Sequence, residues 1–128
     1  MTTPSVSLPL YERVGGSVFF ETLVDRFYDG VADDPVLRPM YREGDLSEER
    51  RWLSLFLVQY WGGPGDYSEE RGHPRLRMRH FPFSIGVEER DAWLRHMLAA
   101  VSASDAGPEE AAELEAYFVS AADFMMNR

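Results

Sequence analysis

At 128 residues, with 45% hydrophobic and 13% aromatic side chains, the chain is sized for one domain with one core, and its composition argues against disordered and fibrous classes. The net charge of −9, from 22 acidic against 13 basic residues, sets long-range electrostatics against nucleic acid and anionic membrane as partners. No cysteine is present, so disulfides, thiolate nucleophiles, zinc fingers and cysteine-held iron–sulfur clusters are excluded together, and any metal must sit on His, Asp, Glu or Tyr.

In chain order, the opening MTTPSVSLPL carries neither the basic region nor the apolar core of a secretory signal, and no apolar run approaches the ~20 residues of a membrane span. A cytoplasmic protein is expected, with residues 1–9 as a poorly ordered extension and residues 10–128 as the domain. Phe20, Leu23, Val24, Phe27, Tyr28 and Val31 recur at the spacing of one helix face, preceded by Gly15-Gly16 and closed by Asp33-Asp34-Pro35. A short turn or helix then runs from Pro35 to Tyr41. Ser47 is placed to cap a second helix, with Glu48 and Glu49 in its first turn and Trp52, Leu53, Phe56, Leu57 and Tyr60 on its buried face.

The stretch GGPGDYSEERGHP, residues 62–74, interrupts the pattern with four Gly and two Pro. Beyond it, Leu76, Met78 and His80 alternate with arginines, a strand-like pattern too short to stand alone. Trp93, Leu94, Met97, Leu98 and Val101 make a third stripe, with Val87 upstream. Gly107-Pro108-Glu109-Glu110 starts a fourth helix that carries Leu114, Tyr117, Phe118, Ala121 and Met125. The expectation is an all-α domain of four substantial helices packed as two antiparallel pairs.

Three histidines limit the chemistry. Glu70 and His73 have the Glu-x-x-His spacing of di-iron bundles, but the second copy is absent and Gly72 and Pro74 flank His73, so a hydrogen bond within the loop is the better reading. His96 reads as a helix-edge histidine near the surface. His80 stands beside Arg75, Arg77 and Arg79, a local concentration of positive charge in an acidic chain. Haem needs one imidazole ligand, cations for its propionates and an apolar surround, and this segment meets the first two demands at one place. The ordinary alternatives are a core histidine bonded to a backbone carbonyl and a solvated arginine cluster at a helix start.

The segments Gly15-Gly16, Arg26-Phe27-Tyr28, Tyr60-Trp61-Gly62-Gly63-Pro64 through Tyr67-Ser68-Glu69, Gly72-His73-Pro74-Arg75-Leu76-Arg77-Met78-Arg79-His80 and Asp91-Ala92-Trp93-Leu94 follow one another in the order and spacing of a known family. The chain resembles the group II truncated haemoglobins from about Leu10 to Met125. The resemblance implies a two-over-two helical sandwich enclosing one haem b, with a very short first helix and a largely irregular segment before the iron-binding histidine. It implies His80 as that ligand, and Tyr28, Tyr41 and Trp93 around a bound dioxygen or other diatomic such as nitric oxide or carbon monoxide. Phe27, Leu53, Phe56, Leu57 and Leu76 would wall the haem pocket. Tyr67, Arg77 and Arg79 would meet the propionates. The access position falls near Glu49, where the group usually carries a small residue, and Trp52 stands one turn on.

Three donors imply tight retention, suited to scavenging or redox chemistry more than to bulk oxygen transport. Nitric oxide dioxygenase or peroxidase-like activity would need an external reductase, since the chain holds no flavin or nicotinamide motif. A homo-oligomer is left open. The alternative from another class is a haem-free all-α interaction or metal-binding module that keeps the fold.

Overall fold

The computed structural model describes residues 8–41 and 43–128, Arg77 through its backbone alone, so the expected extension lies outside the described residues apart from Leu8 and Pro9. In chain order the helices are α1 (Leu10–Arg13), α2 (Ser17–Ala32), α3 (Ser47–Tyr60), α4 (Asp66–Arg71), α5 (Leu76–His80), α6 (Val87–Ser102) and α7 (Pro108–Met125), with a 3-10 turn at Arg38–Met40. No strand occurs among the described residues. The four expected helices are α2, α3, α6 and α7. They pair as α2 with α3 and α6 with α7, and α2 also packs on α6.

The apolar stripe of α2 is buried along its whole length, with Leu23, Val24, Phe27 and Val31 fully sealed. Each such side chain stabilises the fold by roughly 1.5–3 kcal/mol relative to exposure. Past the end of α2, Asp34 Oδ1 accepts the N–H groups of Val36 and Leu37 at 2.7 and 3.1 Å, which turns the chain toward Tyr41. Ser47 is not the cap of α3 but its first residue. The carboxylate of Asp45 accepts its N–H at 3.1 Å and its hydroxyl at 2.7 Å, an ionised acceptor two residues upstream doing what the hydroxyl was expected to do. At α7, Pro108 is the first helical residue, as its fixed φ and missing N–H favour.

Between α3 and α6 the chain is more regular than the glycines and prolines suggest. Gly62, at φ +99°, lets Pro9 lie against the backbone where a Cβ would come within 2.6 Å of the proline ring. Gln59 then accepts the Ser68 N–H at 2.9 Å and donates to the Ser68 hydroxyl at 2.7 Å, seating α4 against the end of α3. The alternating Leu76, Met78 and His80 prove helical. Met78 is exposed on one side of α5, while Leu76 and His80, four residues apart, share the other. Val87 opens α6 exposed rather than on its stripe.

Candidate functional site

A cavity of about 710 Å³, lined from every helix except α1, lies behind this arrangement. That volume is in the range of cofactor sites. His80 reaches it from the last position of α5. Its Nδ1 lies 2.6 Å from the carbonyl oxygen of Leu76, and because a carbonyl only accepts, Nδ1 carries the proton. Nε2 is left as the ring's lone pair, and no described residue hydrogen-bonds to it. Asn127 braces the segment that follows, donating from Nδ2 to the carbonyl of Phe83 at 2.7 Å while its Oδ1 accepts the Ile85 N–H at 2.8 Å.

Tyr28 from α2, Tyr41 from the end of the 3-10 turn and Trp93 from α6 all line the cavity. The two tyrosine rings meet edge to face at 5.7 Å and their hydroxyls are hydrogen-bond partners. Burial pushes both phenols up, Tyr28 well above the usual range and Tyr41 to about 12, and the nearby charge of Glu49 adds to both shifts. Both therefore remain protonated donors at neutral pH. No described residue accepts a hydrogen bond from the Trp93 indole N–H. Phe27 is placed differently from expectation: fully buried, it packs edge to face on Tyr28 at 4.9 Å and on Trp93 at 5.4 Å, behind the wall rather than on it. Tyr28, the next residue on α2, takes the cavity side.

Leu53, Phe56, Leu57 and Leu76 line the cavity as apolar wall, and Tyr67 does so with almost no solvent exposure. Arg79 lines it too, its Nε donating to the Pro74 carbonyl at 2.8 Å and Nη2 to that of Arg71 at 3.1 Å. The expected role of the Arg77 side chain lies outside the described residues. The structure adds a cation that sequence reasoning missed: Arg71, one turn after Tyr67 on α4, with its guanidinium 4.7 Å from the Trp52 ring and 6.0 Å from that of Tyr67. Its signal is the four-residue spacing from Tyr67, which goes unread while α4 is taken as irregular.

The other two histidines lie elsewhere. His73 accepts the N–H of Arg75 through Nδ1 at 3.1 Å, and Glu70 pairs with Arg51 at 2.8 Å, so neither forms a di-iron half-site. His96 is bound to Asp34 Oδ2 through Nε2 at 2.6 Å. Among the described residues no group of three or more His, Asp or Glu converges as a metal site. A bare ion would need such a set, whereas a macrocycle that already holds its metal needs one imidazole, an apolar slot and cations near its acidic edge. His80, the aliphatic and aromatic wall and the pair Arg71 and Arg79 fit the second requirement.

A family model described as bacterial-like globin matches residues 9–127. The group 2 truncated hemoglobin YjbI of Bacillus subtilis (strain 168) is 48% identical over 91 residues, covering 71% of this chain and 67% of that protein. The structure of a thermostable hemoglobin from the actinobacterium Thermobifida fusca aligns with a TM-score of 0.91 at 58% identity, covering 93% of this chain and 97% of the other. The group II truncated hemoglobin of Bacillus anthracis aligns with a TM-score of 0.89 at 37% identity, covering 94% and 98%.

Proposed function

Because the chain belongs to the bacterial-like globin family, among the group II truncated haemoglobins, we propose that it holds haem b on His80 and retains dioxygen or another diatomic beneath Tyr28, Tyr41 and Trp93. The observation that carries this reading is the His80 ring. Its proton is held at Nδ1 by the Leu76 carbonyl, so the Nε2 lone pair is the one offered to an iron in the cavity. Haem supplies an iron with an open position where a diatomic ligand binds.

The chain's own residues do the rest. Arg79, Arg71 and Tyr67 are assigned to the propionates, and Leu53, Phe56, Leu57 and Leu76 exclude water from the ring. The raised phenols of Tyr28 and Tyr41 keep both hydroxyls as donors, and the indole N–H of Trp93 adds a third. Each hydrogen bond to a ligand that carries partial negative charge is worth roughly 0.5–3 kcal/mol. Three together slow release by orders of magnitude, since about 1.4 kcal/mol is tenfold. Tight retention suits ligand scavenging or redox chemistry in the cytoplasm, such as nitric oxide dioxygenation or peroxide-dependent oxidation, with electrons supplied by a partner reductase.

Stopped-flow dioxygen release from the ferrous holoprotein tests this. Trp93→Phe keeps an aromatic side chain and removes the donor, so the expected result is a release rate about tenfold faster. An unchanged rate means that Trp93 only packs, and the retention reading fails.

A further inference from the structure

Behind the cavity wall, the elements that carry the three distal donors meet at one histidine. His96 stands on α6, one turn after Trp93. Its ring lies against Gly30 of α2, two residues after Tyr28, so closely that a Cβ there would come within 2.3 Å of Nδ1. Its Nε2 lies 2.6 Å from Oδ2 of Asp34, whose side chain is only 4% exposed. A carboxylate only accepts, so Nε2 donates. Asp34 in turn holds the segment that leads to Tyr41. Its Oδ1 accepts the N–H groups of Val36 and Leu37, and its main-chain carbonyl accepts that of Arg38 at 2.8 Å. The Arg38 carbonyl then accepts the Tyr41 N–H at 3.2 Å. Neither Asp34 nor His96 lines the cavity.

We propose that His96 is a positioning residue for ligand retention: through Asp34 it fixes the Tyr41 hydroxyl relative to the Trp93 indole. Hydrogen bonds weaken steeply away from their preferred length and angle, so donors on separate elements act on one ligand only while their spacing is held. Trp93 has a long helix to hold it. Tyr41 follows a single 3-10 turn, and the Asp34 carboxylate ties that segment to α6. Arg95 binds the same oxygen at 3.0 Å but is 63% exposed, and a pair of that kind contributes little. An apolar pair of equal volume would fill the place of His96 and Asp34 without fixing a direction, whereas a satisfied buried hydrogen bond fixes one.

The inference rests on the reading of Tyr41 and Trp93 as ligand donors, and the test separates the two. Dioxygen release is followed by stopped flow, and the C–O stretching band of the ferrous carbon monoxide form by infrared absorption. Both are measured in wild type, His96→Leu, His96→Gln, Tyr41→Phe and the double variant Tyr41→Phe/His96→Leu. His96→Leu removes the bond and keeps an apolar filling, while His96→Gln returns an amide N–H to Asp34. Release is expected to be about tenfold faster in His96→Leu, the loss of about 1.4 kcal/mol, with the C–O band moved to higher wavenumber as a donor withdraws. His96→Gln should stay within about twofold of wild type, and in the Tyr41→Phe background His96→Leu should add less than about twofold. A wild-type rate and band in His96→Leu, whatever its urea midpoint, overturns the inference. So does a His96→Gln protein as fast as His96→Leu, or a full tenfold gain that persists without the Tyr41 hydroxyl. Each of these leaves the donor reading standing if Tyr41→Phe and Trp93→Phe themselves speed release, and if neither does, both fall. Should His96→Leu fail to fold, Gly30→Ala, which pushes the same ring away from its seat on α2, is measured in its place: faster release with the band moved up supports the inference, and a wild-type rate and band overturns it.

Discussion

Asp34 is nearly sealed from solvent and holds four donors from two elements: the N–H groups of Val36 and Leu37, Arg95 Nη2 at 3.0 Å and His96 Nε2 at 2.6 Å. The hydrogen bond from His96 leads in holding its carboxyl down at about 2, against burial, which pushes it up. The folded value lies below the ordinary 3.8, so the stabilisation is complete above 3.8 and is lost as the pH falls through 2. At 1.36 kcal/mol per unit this amounts to about 2 kcal/mol. Asp34→Asn should therefore lower stability by about that amount near neutral pH, and the gap in urea unfolding should close on acidification toward 2. A gap that stays constant across that range contradicts the assignment. The pair is not legible in the sequence because its members stand 62 positions apart and each alone looks ordinary. His80 is legible because what marks it is local: arginines on either side of position 76 and an orienting carbonyl four residues back. That Glu49 lines the cavity with Oε1 turned away from solvent is a matter of side-chain packing that no spacing reveals.

The long helices are legible from periodicity because each buries a continuous face, and Pro108 and the Asp33–Pro35 turn mark their ends. α5 is hidden because five residues are too few to show a period of 3.6, so its apolar side imitates the alternation of a strand. α4 is hidden because its flanking glycines and prolines read as loop, and its seating depends on the side chain of Gln59, nine residues before its partner Ser68. Contact between helices is least visible of all. Gly30, in the last turn of α2, would ordinarily be improved by alanine, by at most roughly 1 kcal/mol. Here a Cβ would overlap the His96 ring from α6, which is itself fixed by Asp34. Overpacking of this kind costs about 1–3 kcal/mol, so the overlap outweighs the propensity gain. Gly30→Ala is expected to lower the urea midpoint and weaken the Asp34–His96 link. A stabilised variant contradicts this account of the α2–α6 contact.

At the scale of the molecule, an acidic chain of net charge −9 must admit a cofactor that brings two carboxylates of its own. The long-range field opposes this, and the local answer is to put Arg71 and Arg79 on the cavity wall while Glu49 occupies the wall beside the tyrosines. One cavity wall thus carries side chains of both signs. Everything in this division depends on His80 holding the iron. The ferrous absorption spectrum of His80→Gly protein loaded with haem, with and without free imidazole, tests that dependence most directly. The histidine-ligated spectrum of wild type should be lost in the variant and restored when imidazole enters the space that the side chain leaves. A His80→Gly protein that keeps the wild-type spectrum without imidazole would contradict the assignment of His80 as the ligand.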